Sequence, residues 1–187
     1  MKYSFIFGFM LTLLTLTAHC QTVADITQIA LMKPGNDSIG VVAGDSAAQL
    51  IAILGEPDQI SDYYSEIDED TLKLYKYGKN NIFFLHDKLV NWDLSDSGIW
   101  VGAVHGQTFK VGDKLVSQNQ NFRQKPGTRP TAQFLGFPVT HKTGISRNLH
   151  FDSACVLQLT KGAIQLDSRV ELLFDRTNKL FSIALLD

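Results

Sequence analysis

The dipeptide Gly-Asp stands at 44–45 and again at 112–113, and each copy opens the same run of candidate elements: an extended approach, a helix, then three strands parted by turns. Such a recurrence makes internal duplication the first architecture to test. In the first copy Val41-Val42-Ala43-Gly44-Asp45-Ser46 leads in, and Asp45 or Ser46 is placed to cap a helix with the apolar stripe Ala47, Leu50, Ile51 and Leu54. Gly55-Glu56-Pro57 stops it, because glycine suits the C-terminal turn and proline cannot extend the helix. Strands are expected at 72–77, 81–86 and 89–94, divided by Gly78-Lys79-Asn80 and Asp87-Lys88.

The second copy opens with Phe109-Lys110-Val111-Gly112-Asp113, continues through a candidate helix to Phe122, and ends in longer strands near 149–160, 163–174 and 179–186. That helix is poor in large apolar residues, with Leu115, Val116 and Phe122 around Gln118-Asn119-Gln120-Asn121, so it depends on tertiary packing. The extra length of this copy lies mainly in the loop 123–147, where Gly127, Pro130, Gly136, Pro138 and Gly144 break regular structure. The expected fold is α+β: two tandem helix-plus-antiparallel-β-meander units, 21–108 and 109–187.

With 44% hydrophobic and 19% charged residues among 187, the chain has enough apolar mass for one good core or two small ones, and disorder is excluded. Residues 1–20 read as an export signal: Lys2, an apolar run from Phe5 to Leu14, then small and polar residues up to Cys20. Cleavage after Cys20 leaves Gln21 first and places the protein in the periplasm or outside the cell. The competing reading keeps Cys20 as a lipid anchor in the outer membrane, although His19 stands where such signals want a small residue. With Cys20 removed, Cys155 is the only cysteine left, and its apolar surroundings, Ala154-Cys155-Val156-Leu157, mark an inert buried thiol.

Gly44-Asp45-Ser46, Leu54-Gly55-Glu56-Pro57, Tyr75-Lys76-Tyr77 and the hairpin from Ile82 to Val90 resemble the small outer-membrane lipoproteins of the SmpA/OmlA family, which are related in fold to the tandem-repeat β-lactamase inhibitor protein. The resemblance covers 41–95 and, in outline, 109–187. It implies a cell-envelope protein that binds other proteins with a sheet face, and it carries no catalytic residue.

The chemistry-bearing motifs are weak. Gly144-Ile145-Ser146-Arg147-Asn148 lacks the second glycine of a nucleophile elbow, and His86, His105, His141 and His150 show no metal-ligand spacing. Gly98, Gly102 and Gly106 precede no Lys-Ser/Thr pair, so no phosphate loop is expected. The carboxylates Glu56, Asp58, Asp62, Glu66, Asp68, Glu69 and Asp70 lack the register of an EF-hand and read as a solvated acidic loop. No enzyme, cofactor or metal is expected.

Charge and aromatics suggest a binding surface instead. Residues 21–98 carry thirteen carboxylates and five cations, whereas 99–187 carry six and eleven. The formal net charge of −2 argues against nucleic acid as a partner. In Leu72-Lys73-Leu74-Tyr75-Lys76-Tyr77 the leucines share one face; if the helix covers them, Lys73, Tyr75 and Tyr77 line the open face. With Trp100, between the two copies, they are the candidate contacts for an unidentified envelope protein, with Tyr63-Tyr64 as a weaker pair; Trp92 reads as core. The alternative is an anionic small or polymeric ligand met by Arg123, Lys125, Arg129 and Arg147 on the long loop.

Overall fold

The computed structural model describes residues 23–66, 69–115, 133–134, 137–140 and 142–186. The chain enters through β1 (Val23–Asp25), a 3-10 turn at Ile26–Gln28, β2 (Ala30–Met32) and β3 (Val41–Val42). Helix α1 (Ala47–Leu54) follows, then the strands β4 (Gln59–Ser65), β5 (Asp70–Tyr77), β6 (Asn80–Leu85) and β7 (Lys88–Leu94). Next come the short strands β8 (Trp100–Gly102), β9 (Thr108–Phe109), β10 (Gln133–Phe134), β11 (Phe137–Pro138), β12 (Gly144–Ser146) and β13 (Leu149–Phe151). Three long strands close the chain: β14 (Ser153–Lys161), β15 (Ile164–Phe174) and β16 (Leu180–Leu186).

Eight of these strands build one mixed sheet in the order β1-β14-β15-β16-β7-β6-β5-β4, rather than two separate helix-plus-meander units. The expected α+β tandem is therefore corrected to a mostly β fold. Its two meanders are fused where β16 pairs antiparallel with β7, Ile183 opposite Leu94 and Leu185 opposite Trp92. A lone meander would leave the last-strand edge open; joining the two edges satisfies both rows of backbone groups. Parallel pairing of β1 with β14, Ala24 opposite Leu159, makes the sheet mixed.

Among the described residues α1 is the one α-helix, and the two Gly-Asp sites show why. Ser46 Oγ accepts from Gln49 N at 3.3 Å while Gln49 Oε1 accepts from Ser46 N at 2.9 Å, a complete capping box. Asp87 Oδ1, from the β6–β7 turn, accepts a further first-turn amide, Ala47 N, at 3.1 Å. At the second site the residue after Asp113 is Lys114, which cannot cap and which bridges to Lys179 instead; the chain to Leu115 is not helical. The rest of that expected helix lies outside the described residues.

What does recur is the turn itself. Gly44 N donates to Leu89 O, Leu89 N to Asp45 O, and Asp45 Oδ2 accepts from Val42 N at 2.9 Å. Likewise Gly112 N donates to Leu180 O, Leu180 N to Asp113 O, and Asp113 Oδ2 accepts from Lys110 N at 2.9 Å. Both glycines need the left-handed region, with φ of 91° and 104°.

The core lies on one face of the large sheet. Ile82, Phe84, Trp92, Leu94, Cys155, Leu157, Leu159, Val170, Leu172, Phe174, Ile183 and Leu185 point into it. Opposite them are Ala47 and Leu50 of α1, Ile99, and Leu31, Val41, Val101 and Phe109 from a four-stranded sheet ordered β3-β2-β8-β9. Trp92 and Cys155 are buried as expected, and burial pushes the Cys155 thiol up to about 12.

Candidate partner-binding surface

The segment expected as an acidic loop contains β4, which among the described residues is one of the two outermost strands of the large sheet. Ile60, Tyr63 and Tyr64 supply the β-branched and aromatic side chains that favour a pleated surface, and they outweigh the polar residues between them. Seven consecutive pairs, from Gln59 opposite Lys76 to Ser65 opposite Asp70, hold β4 to β5 with no bulge. The strand ends are tied by Asp58 Oδ2, which accepts from Gly78 N at 2.6 Å, and by Asp58 N, which donates to Lys76 O.

Register assigns the faces. Ile60, Asp62 and Tyr64 stand opposite Tyr75, Lys73 and Thr71, and Tyr75 and Lys73 stand opposite Ile82 and Phe84, two core residues. Lys73, Tyr75 and Tyr77 are thus on the helix-side face of the sheet, and the leucines on the other, which reverses the expected arrangement. Tyr75 packs on Phe84 with ring centroids 4.9 Å apart, and Tyr77 Oη donates to Gly55 O at 2.8 Å, fastening the end of α1 to β5. Burial, with Glu56 nearby, pushes the Tyr77 phenol up to about 12. Both tyrosines are only partly buried, and Lys73 is exposed and paired with Asp62, a hydrogen bond that raises the lysine's pKa.

Exposed large apolar side chains occur elsewhere, Ile145 and Ile164 among them, but three are gathered on β4. Ile60 is 51% exposed, Tyr64 61% and Tyr63 49%. Ile60 and Tyr64 extend the face of Tyr75, while Tyr63 lies on the opposite side, edge-on to Phe83 at 5.2 Å. The β-branched and aromatic residues Ile60, Tyr63 and Tyr64 were the signal available for β4, and the surrounding carboxylates masked it.

Trp100 does not join this surface. It lies on β8 opposite Met32, half-buried, with Lys110 Nζ 5.0 Å from its ring centre. Among the basic residues proposed for an anionic ligand, Arg123, Lys125 and Arg129 lie outside the described residues. Arg147 is already committed: its Nη1 is 2.8 Å from Asp93 Oδ2, its Nε 3.4 Å from Glu171 Oε2, and its Nη2 donates to Ser182 Oγ at 2.7 Å.

A cavity of about 380 Å³ between β1, the 3-10 turn and the β8–β9 strands is lined by Val23, Ala24, Ile29, Ala103, Phe109 and Leu157 among others, with no cationic side chain. Its Asp25 is engaged by Thr27, whose side-chain and backbone bonds lower the carboxyl pKa, and by Gly162 N. Among the described residues no group of His, Cys, Asp and Glu is arranged to hold a metal, and no helix is long and apolar enough to cross a membrane. Compared with known proteins, the chain matches no family model, no curated protein and no solved structure.

Proposed function

We propose that this is an exported, non-catalytic protein of the cell envelope that binds another protein through the β4–β5 end of its sheet. The observation that carries the reading is the set Ile60, Tyr63 and Tyr64, each about half exposed or more on a seven-residue outermost strand. Aromatic side chains of this kind bring large area at low rotamer cost, which suits them as anchors in protein interfaces. The apolar run near the N-terminus supports export, and the resemblance to envelope lipoproteins points the same way. The anionic-ligand reading has less support, because Arg147 spends its charge on two carboxylates of its own chain.

The test is a photoreactive amino acid placed at Tyr64 in producing cells, with Arg176 in the exposed β15–β16 turn as the control position. A discrete adduct with one envelope protein from Tyr64 alone is expected. No adduct, or equal adducts from both positions, would overturn the binding surface; recovery of the chain in the cytosol at full length would overturn export.

A further inference from the structure

We infer that β4 takes up an extended, cationic segment of the partner as an additional strand of the sheet. The inference rests on the protein-binding reading above and specifies its mode. An outermost strand presents alternate amides and carbonyls that no neighbour satisfies, and proteins ordinarily blunt such edges with bulges, prolines, inward lysines or very short strands. The other outermost strands follow that rule: β1 has three residues, β3 two and β9 two. β4 has seven, with an unbroken register and neither proline nor lysine.

Charge selects the occupant. From Glu56 to Asp70 the chain holds seven carboxylates and no lysine or arginine; six are described, and although Lys73 of β5 pairs with Asp62, the excess gives an incoming strand net negative surroundings. A second copy pairing β4 with β4 about a two-fold at Asp62 would bring like charges together, which disfavours it. On the helix-side face Ile60, Asp62 and Tyr64 alternate at every second residue. An added strand therefore fits best when it repeats apolar, cationic, apolar at the same spacing, placing Lys or Arg beside Asp62, where it shares the exposed carboxylate with Lys73.

The probe is the capped heptapeptide Thr-Val-Thr-Lys-Thr-Tyr-Thr, titrated against the full chain by NMR to millimolar concentration. Two further versions carry N-methyl groups on the odd or on the even amides. Strand addition uses only one alternate set of amides, so one methylated peptide is expected to bind at least tenfold more weakly while the other binds like the parent. Replacing the peptide lysine by glutamate is expected to weaken binding at least tenfold, and Asp62→Lys to restore it.

Absence of binding by the parent peptide, or equal binding by both methylated versions, overturns strand addition. So does a dimer seen by sedimentation that Tyr64→Lys dissolves. In each case a Tyr64 adduct with an envelope protein would leave the protein-binding reading standing, and loss of that adduct alone would remove it.

Discussion

Arg147 Nη1 lies 2.8 Å from Asp93 Oδ2, an ion pair that reaches from the tip of the β12–β13 hairpin across to a central strand of the large sheet. The same side chain meets Glu171 on β15 and Ser182 on β16, and Glu171, Ala184 and Asp93 stand in line across three neighbouring strands. Ser146 Oγ adds a hydrogen bond to Glu171 Oε2 at 2.7 Å. The hairpin thus covers the sheet face opposite the core by polar contact. Arg147 holds φ at 49°, a conformation that costs a non-glycine residue about 1–2 kcal/mol, so the contacts must exceed that strain.

Removing the guanidinium should leave Glu171, which is 8% exposed, with the Ser146 hydroxyl but without its cation. Arg147→Ala is expected to destabilise the protein by about 3 kcal/mol in urea unfolding. Arg147→Ala combined with Glu171→Leu is expected to recover much of that loss, because the buried charge then disappears with its partner. A cost under about 0.5 kcal/mol for the single variant, the range of an ordinary surface substitution, would show that the hairpin is not held this way.

The two Gly-Asp turns make the same bonds, so equivalent substitutions should cost the same. Gly44 and Gly112 have open space or ordinary contact where a Cβ would stand, which leaves backbone strain as the penalty. Gly44→Ala and Gly112→Ala are each expected to lose about 1–2 kcal/mol in thermal unfolding. Strongly unequal losses would mean that the two turns differ in how much structure depends on them.

The turn recurrence and the strands β5, β6, β7, β14, β15 and β16 were legible because they rest on local chemistry: glycine at positive φ, aspartate accepting from the amide three residues back, and period-two burial in β6 and β14. Three things were not. Pairing of β7 with β16 depends on residues far apart in the chain, and no local pattern states which edges will meet. The face of Tyr75 depends on which side α1 lands, and alternation alone is symmetric between the two sides. Leu72 and Leu74 suggested one answer; the bond from Tyr77 Oη to Gly55 O and the contact of Tyr75 with Phe84 give the other. β4 was hidden by Asp62 within it and by the carboxylates that flank it in sequence.

Acid sensitivity should involve Asp96. Burial raises the pKa of its carboxyl, but Lys79 N and Gly98 N at 2.8 Å and Asn80 Nδ2 at 2.7 Å outweigh that, and the net shift is downward. A carboxyl depressed in the folded state adds stability above its unfolded value of 3.8 and loses it as pH falls through the folded value. Asp96→Asn is expected to make unfolding in urea less dependent on pH between about 2 and 5, where aspartate titrates. An unchanged pH slope would assign the acid response to other carboxylates.

Cys155 should be chemically silent until the fold opens. With its thiol pushed up to about 12 by burial, a fraction of about one in ten thousand is thiolate at pH 8. Iodoacetamide is expected to label it only in denaturant, and labelling rates in the native protein would report opening of the core around β14. Rapid native labelling would contradict its packing among Leu157, Val170 and Leu172.

The tyrosines separate folding from binding. Tyr77→Phe removes a hydrogen bond to the end of α1 and is expected to cost about 1 kcal/mol, whereas Tyr64→Ala, on an exposed strand, should stay within about 0.5 kcal/mol. Because burial pushes the Tyr77 phenol up to about 12, the unfolded chain ionises first as pH rises above the ordinary value of 10.0. Stability should therefore fall across that interval, and Tyr77→Phe should flatten the fall. Partner adducts should respond in the opposite order, lost in Tyr64→Ala and retained in Tyr77→Phe at temperatures where both variants are folded. A variant pair that lost stability and adducts together would place the contact on β5 rather than on the outer strand.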